Sequence, residues 1–424
     1  MYKKTILDNG LRVITNSMNQ MQSVALGIWI KVGGRYEPHE FKGISHFLEH
    51  LAFKGTKKYS CREIKESIEG IGGSLNGFTS EELTCYLVKL PHSYLDLALD
   101  ILSDMVTNPL LLADDIDKEK TVIIEEIKMY KDLPQSYVYE LLDELLWPGH
   151  PLGMAISGTI ESVSRMTRGD LSSFRGQCYT PLNIIISATG KLEHNKFTDR
   201  VKKLFSGLGD KNINTFLPAK EEQNKPQLKL FPKDTEQTHL ALGFHSLKRD
   251  HPLRYALGLL HIILGANMSS RLFNELREKR GMAYEIGTQI KYFQDTGAFI
   301  VHAGIDNHKV NDAIELILKE LAEIRNNPVS IDEFKRAKDF YLGQLMLSLE
   351  DTLDYMLWIG ESTVTLNEVY SLKDIMEKVR KIKRKDIQEI SRQIFKQKNL
   401  NLALIGPLQG SEQKICSQLC INEK

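Results

Sequence analysis

The chain has 424 residues, 42% hydrophobic and 26% charged, with 55 Lys+Arg against 55 Asp+Glu. Apolar content at this level supports sizeable cores and excludes disorder as the default state, and the length predicts two or three domains. Zero net charge gives no bulk attraction toward nucleic acid or an anionic membrane, so neither is an expected partner.

The N-terminal MYKKTILDNGLRVIT carries two lysines but lacks the apolar stretch and small-residue cleavage site of a secretory signal. No apolar run reaches the roughly 18 residues of a membrane span. A cytoplasmic protein is expected. Cys61, Cys85, Cys178, Cys416 and Cys420 are odd in number and scattered, which argues against a disulfide framework. Cys416 and Cys420 share helical spacing, but nothing beside them completes a metal set.

In chain order, VALGIWIKV (24–32) reads as a strand and GISHFLEHLAF (43–53) as a helix. TCYLVKL then predicts a strand, SYLDLALDILSDMV a helix, and DIDKEKTVIIEEIKMYK (115–131) a further helix. Residues 206–228 mix Gly, Asn, Pro and charge without apolar periodicity, as a linker does. Beyond it the same order returns: LALGFHS (240–246), GLLHIILGANM (258–268), AFIVHAG, HKVNDAIELILKELAEI and SIDEFKRAKDFYLGQLML (330–347). Ordered self-similarity in two copies predicts a duplication. The expected organisation is a domain at 1–210, a linker at 211–228 and a second domain at 229–424. Each is α+β, a mixed sheet with helices packed on one face, because several strands alternate as a sheet covered on one side would.

The halves differ where chemistry can sit. His46, Glu49 and His50 spell H-x-x-E-H, a pattern expected by chance roughly 0.03 times in a chain of this composition. Histidines at i and i+4 share a helix face and can reach one cation, while Glu49 lies close enough to touch a bound water. The second half keeps His261 but has Leu264 and Gly265 in place of Glu49 and His50. A catalytic zinc normally takes three protein ligands, so one must come from elsewhere. Helix 115–131 offers Glu119, Glu125 and Glu126 among isoleucines and valine, where an unpaired carboxylate is costly. Glu119 and Glu126 are two turns apart and share a face, so one can bind metal while the other hydrogen-bonds a ligand histidine. A surface helix with solvated glutamates is the competing reading.

HFLEH followed by Glu126 within EKTVIIEEI resembles the inverted zinc motif of the M16 (pitrilysin-like) metallopeptidases. The resemblance extends over LDNGLRVIT, GGSLNGFTSEELTCYLV (72–88), GHPLG (149–153) and ANMSSRLFNELREKRGMAYEIG (267–287). The size is similar to the short subfamily of mitochondrial processing peptidase and its bacterial relatives. The resemblance implies a zinc endopeptidase with one Zn2+ per chain held by His46, His50 and Glu126, Glu49 as general base, and Glu119 as the nearby non-ligand carboxylate. It implies that Arg277 and Tyr284 face the substrate and the developing oxyanion, and that a strand edge around Ser74, Asn76 and Gly77 pairs with the peptide. Asn-Gly is equally a hairpin-turn signal, and the family usually has Ala where Gly77 stands. A homodimer, or a heteromer with a paralogue, is the implied assembly, and unfolded peptides are the implied substrates. The alternatives are a non-enzymatic scaffold and a peptide-binding partner subunit. The remaining histidines, among them His92, His150, His194, His239, His245, His251, His302 and His308, lack partner spacing and read as surface or satisfied side chains.

Overall fold

A computed structural model describes residues 2–209 and 213–421. The chain runs β1 (Tyr2–Ile6), β2 (Arg12–Ser17), β3 (Ser23–Ile30), α1 (Ile44–Ala52), α2 (Cys61–Glu69), β4 (Ser74–Thr79), β5 (Thr84–Pro91), α3 (Leu95–Thr107) and α4 (Ala113–Asp132). It continues through α5 (Pro134–Leu146), α6 (Ile160–Arg165), α7 (Arg168–Cys178), β6 (Ile184–Gly190), α8 (His194–Leu204), β7 (Gln227–Pro232), β8 (Gln237–His245) and α9 (Arg254–Leu264). After a π-helical turn at Phe273–Glu278 come β9 (Ala283–Tyr292), β10 (Gly297–Asp306), α10 (Val310–Asn326), α11 (Ile331–Ser348), α12 (Thr352–Leu366), α13 (Leu372–Lys381), α14 (Arg384–Ile394), β11 (Asn401–Gly406) and α15 (Glu412–Gln418).

Two compact units emerge. The first comprises Met1–Lys128, Met154–Leu217 and Met346–Ser371, the second Met129–Gly153, Pro218–Leu345 and Leu372–Lys424. In the first, six strands take the order β1-β2-β6-β3-β5-β4, and in the second, five take β7-β11-β8-β10-β9. The pairs β2–β6 and β7–β11 are parallel, and every other neighbouring pair is antiparallel. Apart from β1 the two sheets therefore have one topology, with β4 and β9 at equivalent free edges.

Alternation along the strands sorts side chains onto two apolar faces. In β3, Val24, Leu26, Ile28 and Ile30 join the main core with α1, α3 and α7, while Ala25 and Trp29 point the other way. In β5, Tyr86, Val88 and Leu90 join that core while Cys85 and Leu87 do not. Each unit is the expected α+β layer of mixed sheet and helices, and it differs from the expectation only in that the reverse face is apolar as well and has its own cover. Helix α12 supplies it, setting Met356, Ile359 and Val364 against Ile14, Trp29, Cys85 and Ile185. On the second sheet α5 does the same, with Val138, Leu141, Leu142 and Leu146 against Ala241, Ala298, Ile300, Ala403 and Ile405.

Both contacts rely on glycines. A Cβ at Gly360 would lie 2.2 Å from Trp29 Nε1, and one at Gly243 would lie 2.9 Å from Leu142 Cδ2. Each unit is thus completed by a helix from the opposite half of the sequence, so the units do not follow the division at 211–228 along their whole length. Of that linker, residues 211 and 212 lie outside the described residues, and Gln227 already pairs in β7. Asn214 donates to the carbonyl of Lys31 at 2.8 Å and Phe216 lies 3.9 Å from the Arg35 guanidinium, which anchors this segment to the first unit.

Candidate functional site

Helix α1 starts at Gly43, whose φ of 95° falls in the left-handed region and whose Cα has Ser157 O only 2.5 Å from where a Cβ would sit. The first amides of the helix need acceptors, and the buried Glu37 provides them. Its Oε2 accepts from Gly43 N at 2.9 Å and its Oε1 from Ser45 N at 2.8 Å. Lys42 Nζ lies 3.4 Å from the same carboxylate and donates to Gly34 O at 2.7 Å. This buried arrangement fixes the start of a helix of nine residues and, with it, the direction of His46, Glu49 and His50.

The His46 and His50 rings are 4.5 Å apart, centroid to centroid. Helix α4 brings Glu126 to them, with Oε2 3.8 Å from His46 Nε2 and 3.6 Å from His50 Nε2. Glu125 instead pairs with Lys128 at 2.6 Å on the exposed side of the helix. One donor atom from each of His46, His50 and Glu126 lies within 4.8 Å of the other two. Tetrahedral ligands at bonds of about 2.1 Å stand about 3.4 Å apart, so both distances from Glu126 to the histidines are within a few tenths of an ångström of what zinc needs.

Tautomers support the same fit. Glu119, 3% exposed, places Oε2 3.0 Å from His50 Nδ1 and Oε1 2.5 Å from Lys54 Nζ. A proton on His50 Nδ1 leaves Nε2 with its lone pair facing His46 and Glu126. Burial would raise the Glu119 carboxyl, but its bonds to His50 and Lys54 and their charges hold it below the usual range. Burial also pulls on His50, yet the bond to Glu119 and the charges of Glu126, Glu49 and Glu119 keep its imidazole above the ordinary value. His46 is pushed down to about 4 by burial and by the neighbouring His50, so it stays neutral and able to ligate. Its Nδ1 is buried without a partner among the described residues.

Glu49 is 8% exposed on the same helix. Burial pushes its carboxyl up and Glu126 adds to this, against the Thr79 hydroxyl and His50. Thr79 Oγ1 donates to Glu49 Oε2 at 2.7 Å. A buried carboxylate of raised basicity beside two imidazoles and a second carboxylate can take a proton from water.

The strand-edge residues lie on β4, which among the described residues pairs only with β5. Asn76 and Gly77 sit inside this strand, opposite Leu87 and Tyr86, and the hairpin turn falls instead at Ser80–Leu83, where Ser80 N donates to Leu83 O at 2.8 Å. Ser74 and Asn76 are exposed, and Asn76 Oδ1 accepts from Gly77 N at 2.8 Å. In the second unit the Arg277 guanidinium lies 5.3 Å from the Tyr284 ring and 4.9 Å from the Phe273 ring. Tyr284 is 75% exposed at the start of the edge strand β9. Several of the remaining histidines have protein partners: His150 and His251 accept from backbone amides, His194 lies between the hydroxyls of Thr5 and Thr15, His245 meets Leu146 O, and His302 Nδ1 lies 4.0 Å from Glu285. Sequence reasoning passed over Glu37 and Thr79, which act across eight and 30 positions and carry no local motif.

Residues 12–160 match the insulinase family (peptidase family M16), and residues 165–341 match the peptidase M16 inactive domain. The uncharacterized zinc protease YmxG of Bacillus subtilis is 36% identical over 407 residues, 96% of this chain and 98% of its own length. An uncharacterized zinc protease of Streptomyces coelicolor is 33% identical over 97% of this chain and 90% of its own. Among solved structures, a protease from Helicobacter pylori superimposes with a TM-score of 0.91 at 24% identity, covering 96% of this chain and all of that one (100%). A peptidase M16 inactive domain from Pseudomonas fluorescens gives 0.89 at 18% identity, covering 96% of this chain and 98% of its own. No helix among the described residues is long and apolar enough to cross a membrane. The chain belongs to peptidase family M16.

Proposed function

We propose that the protein is a zinc-dependent endopeptidase acting on unfolded peptides. The convergence of His46, His50 and Glu126 next to the buried Glu49 carries this reading, since a scaffold has no use for a ligand set with a base beside it. Zinc, when bound by these three side chains, supplies Lewis acidity that makes water nucleophilic near neutral pH. Glu49 takes the water's proton at Oε1, the oxygen not engaged by Thr79, and returns it to the leaving amine. Glu119 keeps His50 Nδ1 protonated and the ring oriented.

The free edge of β4 at Ser74, Asn76 and Gly77 suits an extended peptide, whose main chain can add as a further strand with little regard for sequence. Arg277 and Tyr284 are assigned to the developing oxyanion, where such donors contribute several kcal/mol in a water-poor site. An enclosed chamber that admits peptides and excludes folded proteins, and a homodimeric assembly, complete the proposal.

The test is incubation of wild type and Glu49→Gln with zinc and a mixed pool of unstructured peptides, with products read by mass spectrometry. Cleavage by wild type that disappears in the variant supports the peptidase. Peptides retained but uncut by both proteins would replace it with a peptide-binding partner subunit.

A further inference from the structure

Helix α1 sets the direction in which Glu49 projects, but its carboxylate is held by a strand 30 residues away in sequence. Along β4, Leu75, Gly77 and Thr79 turn toward α1 while Ser74, Asn76 and Phe78 point to the opposite face, where the Phe78 ring meets Trp29. Thr79 Oγ1 donates to Oε2 at 2.7 Å, the one hydrogen bond to this carboxylate found among the described residues. Two positions earlier, a Cβ on Gly77 would approach Glu49 Oε1 and the Phe53 ring to 3.1 Å each. The strand therefore grips one carboxylate oxygen and, by lacking a side chain, stands clear of the other.

We propose that Thr79 is a positioning residue for the Glu49 base: it fixes Oε2 so that Oε1, left clear by Gly77, is the oxygen presented to water. The inference rests on the reading of Glu49 as the base of the peptidase. A glutamate has three side-chain torsions, and a single directional bond at the carboxylate removes the freedom that helix packing leaves. Thr79 is suited to hold it. Its β-branched side chain is stiff at χ1, and it lies next to the tight Ser80–Leu83 turn, where Ser80 Oγ also donates to Leu83 O at 3.2 Å. The same strand is the proposed peptide edge, so the spacing between docked main chain and base is set by two residues of one strand. Misplacement of a reacting group by about 1 Å costs on the order of 100-fold in rate.

Thr79→Val preserves shape and removes the hydroxyl, whereas Thr79→Ser retains it. Using a peptide that wild type cleaves, Thr79→Val should lower kcat roughly 10- to 100-fold with KM within about twofold, and Thr79→Ser should stay within about threefold of wild type. Zinc content and melting temperature should not change, and a crystal structure of Thr79→Val should show the Glu49 carboxylate turned away from residue 79. A kcat unaffected by Thr79→Val, an equal loss in Thr79→Ser, or a Glu49 carboxylate unmoved in the Thr79→Val crystal would each overturn the proposal. The crystallographic arm needs no turnover, so an inactive wild type defeats the peptidase reading while Thr79 is still judged by where the carboxylate lies.

Discussion

Replacing Glu119 with Gln should weaken zinc binding without touching a ligand. The carboxylate accepts from His50 Nδ1 at 3.0 Å, is 3% exposed and is neutralised in part by Lys54 at 2.5 Å. An amide oxygen can occupy the place of Oε2, so volume and the bond to His50 are kept, while the charge is lost and the amide nitrogen, itself a donor, can no longer accept from Lys54. Charge-assisted hydrogen bonds contribute roughly 1.5–3 kcal/mol against about 1 kcal/mol for neutral ones, which leaves a deficit of about 0.5–2 kcal/mol on the ring whose other nitrogen must give its lone pair to the metal. Partners of this kind typically change metal affinity 10- to 100-fold, in line with that difference. Competition for zinc against a chromophoric chelator at pH 7.5 measures it directly. A dissociation constant within about twofold of wild type, with an unchanged melting temperature, would refute the assignment of Glu119 as the residue that orients His50.

Stripping the metal should lower the melting temperature of wild type but not of His46→Ala, because a ligand at 100 times its dissociation constant stabilises the folded state by about 2.7 kcal/mol; equal shifts in both proteins would place the metal elsewhere. Gly360→Ala should cost about 2 kcal/mol, since its Cβ would collide with Trp29 at 2.2 Å and threaten the 2.7 Å bond from Trp29 Nε1 to Ser187 Oγ, against a gain of about 1 kcal/mol in helix propensity; chemical denaturation reads this, and a variant as stable as wild type would contradict the packing. His261, pushed down to about 4 from 6.5 by burial and by His302, binds fewer protons folded than unfolded. Its contribution is therefore complete above pH 6.5 and lost as the pH falls toward 4, up to about 3 kcal/mol, and His261→Gln should flatten this part of the stability profile.

The pairing of His46 and His50 was legible because its spacing is local: i and i+4 on one helix fixes two histidines on one face whatever the tertiary structure. The glutamate was narrower than the sequence made it, as Glu125 and Glu126 differ by 100° of helix rotation and only packing decides which meets the histidines. Repeat order and strand positions carried over within a few residues, with β8 beginning at Gln237 and α9 at Arg254, earlier than their apolar cores suggested. Glu37 was hidden because it reaches the start of α1 across a 3-10 turn, and Thr79 because its bond to Glu49 links strand to helix. The helices on the reverse faces were invisible for another reason: an amphipathic helix records that it has an apolar stripe, not which sheet the stripe meets.

The helix exchange separates two ideas that a duplicated sequence tends to merge. One repeat of sequence is not one unit of folding, because α5 and α12, which occupy equivalent places in the two repeats, each cover the sheet built by the other repeat. Cut at the midpoint, the N-terminal fragment would bare Ile14, Trp29, Cys85 and Ile185, a continuous greasy surface on a sheet. A single repeat on its own would cover that surface only by lending its helix to a second copy and borrowing one in return, the reciprocal trade of a domain-swapped dimer. Fusion into one chain then makes the trade permanent, and offspring of such a fusion can alter one repeat's chemistry while neither repeat is free to leave.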